Sequence, residues 1–108
     1  MNIQFTDNSK EVSDNIKAAL LRGLETCGLV AEGYAKKLAP VDTGNLRNSI
    51  THTVDEEEPA AYIGTNVEYA PYQELGTIHM NAQPFLKPAV ADHANEYRKI
   101  IEKELKNG

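Results

Sequence analysis

A long apolar stripe runs through the first third of the chain. Over residues 9–38, Val12, Ile16, Leu20, Leu24, Cys27, Ala31, Tyr34 and Leu38 recur at spacings of three and four, the repeat of one face of an α-helix. Asn8 or Ser9 can cap its start, and Pro40 forbids continuation, so one helix is expected over 9–38. Gly23, Gly28 and Gly33 lie inside it. Each costs about 1 kcal/mol against alanine, so such a helix persists only when packed. Their five-residue spacing turns them to different faces. That argues against a small-residue dimer seam and allows a bend or break near Gly28.

The next stretch, PVDTG, is turn chemistry. Pro40 fixes φ, Asp42 or Thr43 can accept backbone hydrogen bonds, and Gly44 permits positive φ. Residues 39–48 therefore read as a turn and short helix. Residues 49–66 read as a β-hairpin, with Ile50, Thr51, Thr53 and Val54 leading into an acidic DEEE tip and Ala61, Tyr62, Ile63 and Thr65 leading out. A short helix over 67–76 with a glycine cap at Gly76, and a loop over 77–84, come next. A C-terminal helix over 85–106 has Pro88 in its first turn and Val90, Ala94, Tyr97, Ile101 and Leu105 on one stripe. The expected fold class is α+β: a long N-terminal helix and a C-terminal helix packed on a small antiparallel sheet, in a single domain over 1–108.

Charge narrows the partners. The net charge is -5, and residues 48–84 contain no Lys or Arg but six acids: Asp55, Glu56, Glu57, Glu58, Glu68 and Glu74. A duplex binder needs a basic stripe to displace counterions, so sequence-specific nucleic acid is not an expected partner. No apolar run reaches the roughly 18 residues of a membrane span, and the N-terminus lacks the basic and apolar regions of a secretory signal. A soluble product made in a cytoplasm is expected, with no membrane partner.

Chemistry-bearing residues are sparse. Cys27 is the only cysteine, so it forms no internal disulfide and reads as a small buried hydrophobe. His52, His79 and His93 have no ligand-like spacing and read as surface histidines. The glycines form no phosphate loop or dinucleotide fingerprint, and Ser49 lacks a nucleophile elbow. No catalytic residue, cofactor or metal is assigned. Asp42-Thr43-Gly44 is the tripeptide that carries the catalytic aspartate of dimeric retroviral-type aspartic proteases. Here it follows a long helix and a proline in a chain with few strands, which favours the turn. Tyr62, Tyr69, Tyr72, Tyr97 and Phe85 suit a core or an interface. Tyr69 and Tyr72, beside Glu74 and Gly76, form the best interface candidate.

Four stretches then occur in order: APVDTGNLRNSI after a long helix, AAYIGTNVEYAPYQELGT, NAQPFLKPA and a closing amphipathic helix. Together, over about residues 10–106, they resemble the minor tail-component family of tailed phages of the Hong Kong 97 type, whose members are assigned to the neck or to tail completion. The matching positions are Pro40, Asp42, Thr43, Gly44, Leu46, Arg47 and Ser49, then Gly64, Tyr69, Ala70, Glu74, Gly76 and Thr77, then Pro84, Phe85, Leu86 and Pro88. Leu75 stands where the family pattern favours an aromatic. The resemblance implies a structural virion protein at the head-tail junction, made in the host bacterial cytoplasm. It would join a ring of its own copies, a hexamer being expected, and bind other neck or tail proteins. An acidic tip at Glu56, Glu57 and Glu58 facing the channel would let DNA slide past. Two readings compete with it: a small soluble adaptor that binds one protein through its tyrosines, and a protease acting through Asp42.

Overall fold

A computed structural model describes residues 2–6, 14–39, 44–76 and 82–107. Their order is β1 (Asn2–Thr6), α1 (Asp14–Leu38), α2 (Gly44–Ser49), β2 (Thr51–Asp55), β3 (Ala60–Gly64), α3 (Ala70–Leu75), α4 (Leu86–Ala91) and α5 (Ala94–Asn107). The fold is α+β, as the periodicities indicate. α1 runs unbroken through Gly28 to Leu38, with the Ala39 N–H donating to the Ala35 carbonyl at 2.9 Å.

The sheet is larger than the expected hairpin. β3 is its central strand, antiparallel to both β1 and β2, in the order β1-β3-β2. The register pairs Ile3 with Ile63 on one side and His52 with Ile63 on the other. β1 is the strand added to the hairpin, and its Asn2, Ile3, Gln4, Phe5 and Thr6 alternate polar and apolar, the period-two signature of a strand.

α1 crosses one face of this sheet. Leu20 and Leu24 pack with Ala61 and the half-buried Val54. A larger cluster joins Cys27, Ala31 and Ala35 of α1 to Leu46, Ile50, Ile63, Ala70, Phe85, Leu86, Ala89 and Tyr97. The alanine repeat on α1 leaves room for Phe85, the largest fully buried side chain. α5 runs antiparallel to α1 and lies mainly against that helix. A Cβ on Gly23 would sit 3.3 Å from the Ile101 Cα, which marks how closely the two backbones approach.

The expectation of one continuous C-terminal helix over 85–106 needs correction. The chain forms α4 and α5, separated by a turn at Asp92 and His93. The Tyr97 hydroxyl donates to the Ala89 carbonyl across this turn. In an unbroken helix those residues lie about 12 Å apart along the axis, beyond reach of that contact. No proline or glycine marks the break, and the apolar stripe continues through it, so local sequence conceals it.

Candidate functional site

The motifs that carried the resemblance form internal joints. Gly44–Ser49 is one turn and a half of helix, with Leu46 buried and Ile50 buried just after it. The Ser49 hydroxyl donates to the Leu46 carbonyl at 2.7 Å and accepts from the hydroxyl of buried Thr65. Thr65 Oγ1 in turn accepts the Val67 N–H at 3.1 Å. The chain of bonds fixes α2 against the end of β3. Pro40, Asp42 and Thr43 lie outside the described residues, as do Thr77, His79 and the side chain of Tyr72.

Glu74 makes the second joint. Its residue is only 5% exposed. Oε1 accepts the Phe85 N–H at 3.1 Å and the Leu86 N–H at 2.8 Å, and Oε2 accepts the Lys87 N–H at 3.3 Å. A helix leaves its first four N–H groups without intrahelical partners. At α4 these belong to Phe85, Leu86, Lys87 and Pro88, and proline has none. One carboxylate therefore satisfies every donor in the first turn, and its negative charge suits the positive end of the helix. Gly76, which closes α3, has φ 77°. That left-handed value favours glycine and turns the chain after Glu74.

Burial sorts the signature residues. Leu46, Gly64, Ala70, Glu74, Phe85 and Leu86 lie in the interior, so they hold the fold and leave no surface for a partner. Tyr69, Leu75 and Pro84 reach the surface, and Leu75 is 74% exposed. Glu56, Glu57 and Glu58 are exposed at the hairpin tip, where Asp55 Oδ1 accepts the Glu57 and Glu58 N–H groups at 3.0 and 3.3 Å.

Two histidines read as surface residues are structural instead. His52 reaches from β2 onto α1, where Nε2 meets Glu25 Oε1 at 2.6 Å and Nδ1 meets Glu32 Oε1 at 3.0 Å. Its side chain is 15% exposed. Burial alone would lower its pKa, but the hydrogen bonds to Glu25 and Glu32, with their charges, outweigh that and raise it. Gly28 leaves the space the ring occupies, since a Cβ there would lie 2.8 Å from His52 Cδ2. The signal was present in sequence: Glu25, Gly28 and Glu32 share one face of α1 at spacings of three and four. His93 stacks on Tyr34 with centroids 3.6 Å apart, and the Tyr34 hydroxyl donates to both Glu96 carboxylate oxygens at 2.7 and 2.9 Å.

At the C-terminal end of α1, Lys36, Lys37 and Arg47 are the described residues around an open surface hollow of about 240 Å³. Lys36 pairs with Glu32 at 3.2 Å, and the Lys37 ammonium lies 5.9 Å from the Tyr34 ring centroid. Arg47 Nε is buried with no hydrogen-bond partner among the described residues. Among the described residues, no group of three or more His, Cys, Asp or Glu is placed to hold a metal ion, and no helix is long and apolar enough to cross a membrane.

A family model described as "Bacteriophage HK97-gp10, putative tail-component" matches residues 3–76, which is most of the chain. The chain belongs to this HK97-gp10-like family. The family is one of phage tail components, so the chain is a phage structural protein carried in the virion. The matched span runs from β1 through α3 and includes the hairpin, the Arg47 pocket and Glu74. It ends before α4, whose first turn Glu74 caps. No curated protein and no solved structure matches the chain.

Proposed function

We propose that this HK97-gp10-like protein is a neck or tail-completion subunit, acting as one domain that joins a ring of its own copies at the head-tail junction. The observation that carries this reading is the family membership, taken with a signature whose buried residues serve a rigid frame while Tyr69, Leu75 and Pro84 stay exposed. A frame of that kind suits repeated docking with little rearrangement. Exposed tyrosine and leucine supply apolar contact area on it. Closure of a head-to-tail contact around an axis gives a ring, for which the sixfold symmetry implied by the family resemblance is retained as part of the proposal. Its neighbours would be other neck or tail proteins, met in the bacterial cytoplasm during assembly.

Gold-labelled antibody on purified virions tests the position. Label at the junction between head and tail is expected, whereas label confined to the distal tail tip would remove the neck assignment. A deletion phage complemented by the gene should accumulate separate heads and tails before complementation. Normal joined particles without the protein would overturn the role.

A further inference from the structure

Among the described residues, Lys36, Lys37 and Arg47 gather three cationic side chains around an open surface hollow. Lys36 shares Glu32 with His52, so that carboxylate is already divided between two donors. Among the described residues, Lys37 has an aromatic neighbour and no carboxylate partner, and Arg47 Nε has no acceptor. Two cations without a carboxylate partner among the described residues favour an acceptor brought from outside, and a guanidinium can take both oxygens of a carboxylate. Leu38, 46% exposed, adds apolar surface in the same last turn of α1.

The complementary charge lies elsewhere on the same chain. Glu56, Glu57 and Glu58 project from the hairpin tip, and no hydrogen bond or ion pair engages their carboxylates among the described residues. They cannot reach the cavity within one molecule. His52 lies beside Glu25 and Glu32, while Val54 lies beside Leu20 and Leu24. Hence the hairpin points toward the N-terminal end of α1, and the cavity is at the opposite end. Leu20 and Lys36 alone are about 24 Å apart at 1.5 Å per residue.

We infer that the Lys36, Lys37 and Arg47 cavity receives the Glu56-Glu57-Glu58 hairpin tip of a second copy of this chain. The inference rests on the ring reading and names its contact: donor tip and acceptor cavity are different surfaces, so the association is head-to-tail and can close. It uses the tip as an intersubunit contact in place of the channel lining that charge alone suggested. A second copy fits better than a nucleic-acid phosphate. The tip delivers a few carboxylates to a few cations, whereas duplex DNA brings one negative charge every roughly 1.7 Å toward a chain of net charge -5.

Cross-linking between two variants tests the contact. One carries Glu57→Cys and the other Lys37→Cys, both exposed positions, while the native Cys27 is buried. On oxidation at high concentration, the mixture should form a mixed disulfide severalfold above either variant alone, and high salt should reduce it by screening. A mixed yield no greater than the controls overturns the inference. So does binding of a short DNA duplex that Lys37→Glu or Arg47→Glu abolishes without any mixed disulfide, because the cavity would then hold phosphate. Light scattering separates this contact from the ring reading. A closed oligomer that survives Lys37→Glu and Arg47→Glu retires the contact and keeps the ring, whereas a mixed disulfide without any closed oligomer keeps the contact and counts against the ring. Thermal melts of each variant confirm that loss of contact is not loss of fold.

Discussion

Glu74 Oε1 accepts the Leu86 N–H at 2.8 Å, so a residue of α3 caps a helix that begins twelve positions later. The same carboxylate takes the Phe85 and Lys87 N–H groups. Glu74→Ala should strand these donors in a largely buried site and cost about 1 to 3 kcal/mol. Glu74→Gln keeps one carbonyl acceptor and should cost less. Urea denaturation of the three proteins gives the order, and an alanine variant as stable as the parent would show that the cap contributes nothing.

Gly28 and Gly33 should respond oppositely to alanine. Both lie in α1, where alanine is intrinsically better by about 1 kcal/mol. At Gly33 a Cβ meets nothing within 4 Å, so Gly33→Ala should raise the melting temperature. At Gly28 a Cβ would lie 2.8 Å from His52 Cδ2, so Gly28→Ala must displace the ring from Glu25 and Glu32 and should lower it. Equal stabilisation by both would mean that the His52 contact has no energetic role.

The His52 cluster also gives a pH dependence. Burial opposes charge on His52, but Glu25 and Glu32 raise its pKa above the ordinary 6.5. Burial likewise would raise Glu32, yet hydrogen bonds from His52 and Lys36 lower it below 4.5. A raised histidine contributes stability that is complete below 6.5 and is lost as pH rises through its folded value. A lowered carboxylate contributes stability that is complete above 4.5 and is lost as pH falls through its folded value. Both contributions are therefore full between 4.5 and 6.5. Unfolding midpoints in a pH series should decline above that window, and His52→Gln should flatten the decline. An identical slope in the variant would refute the assignment.

Cys27 should resist modification in the native state. Burial first, then the charge of Glu96, pushes its thiol up to about 12, and its sulfur contacts the Tyr97 carbonyl at 3.5 Å. A thiol reagent at pH 8 should react slowly with folded protein and at the ordinary rate after denaturation, since the thiolate is the nucleophile. Matching rates would place Cys27 at the surface.

What could be read in advance followed the range of each interaction. α1 was legible because its stripe is long and Pro40 ends it; the two strands of the hairpin were legible because the acidic tip separates them. Gly76 was legible because a glycine closing a short helix has a local conformational reason. The break at Asp92 and His93 was not, because it answers to a contact between Tyr97 and Ala89 that no local residue announces. Glu74 read as part of an interface because caps are usually supplied from the adjoining turn, and here the acceptor arrives from another helix. β1 carries its alternation over only five residues, a short run for a pattern to mark a strand by itself. The Arg47 cavity joins α1 to α2 and has no linear signature.

Ring assembly can be read from light scattering on the eluting protein. The measurement is made over a concentration range, alone and with connector or tail-tube subunits of a tailed phage. A closed oligomer of constant mass, formed alone or on addition of those subunits, is the expected result. A monomer at every concentration, indifferent to every such subunit, would contradict ring assembly and move the weight to an adaptor that binds a single partner.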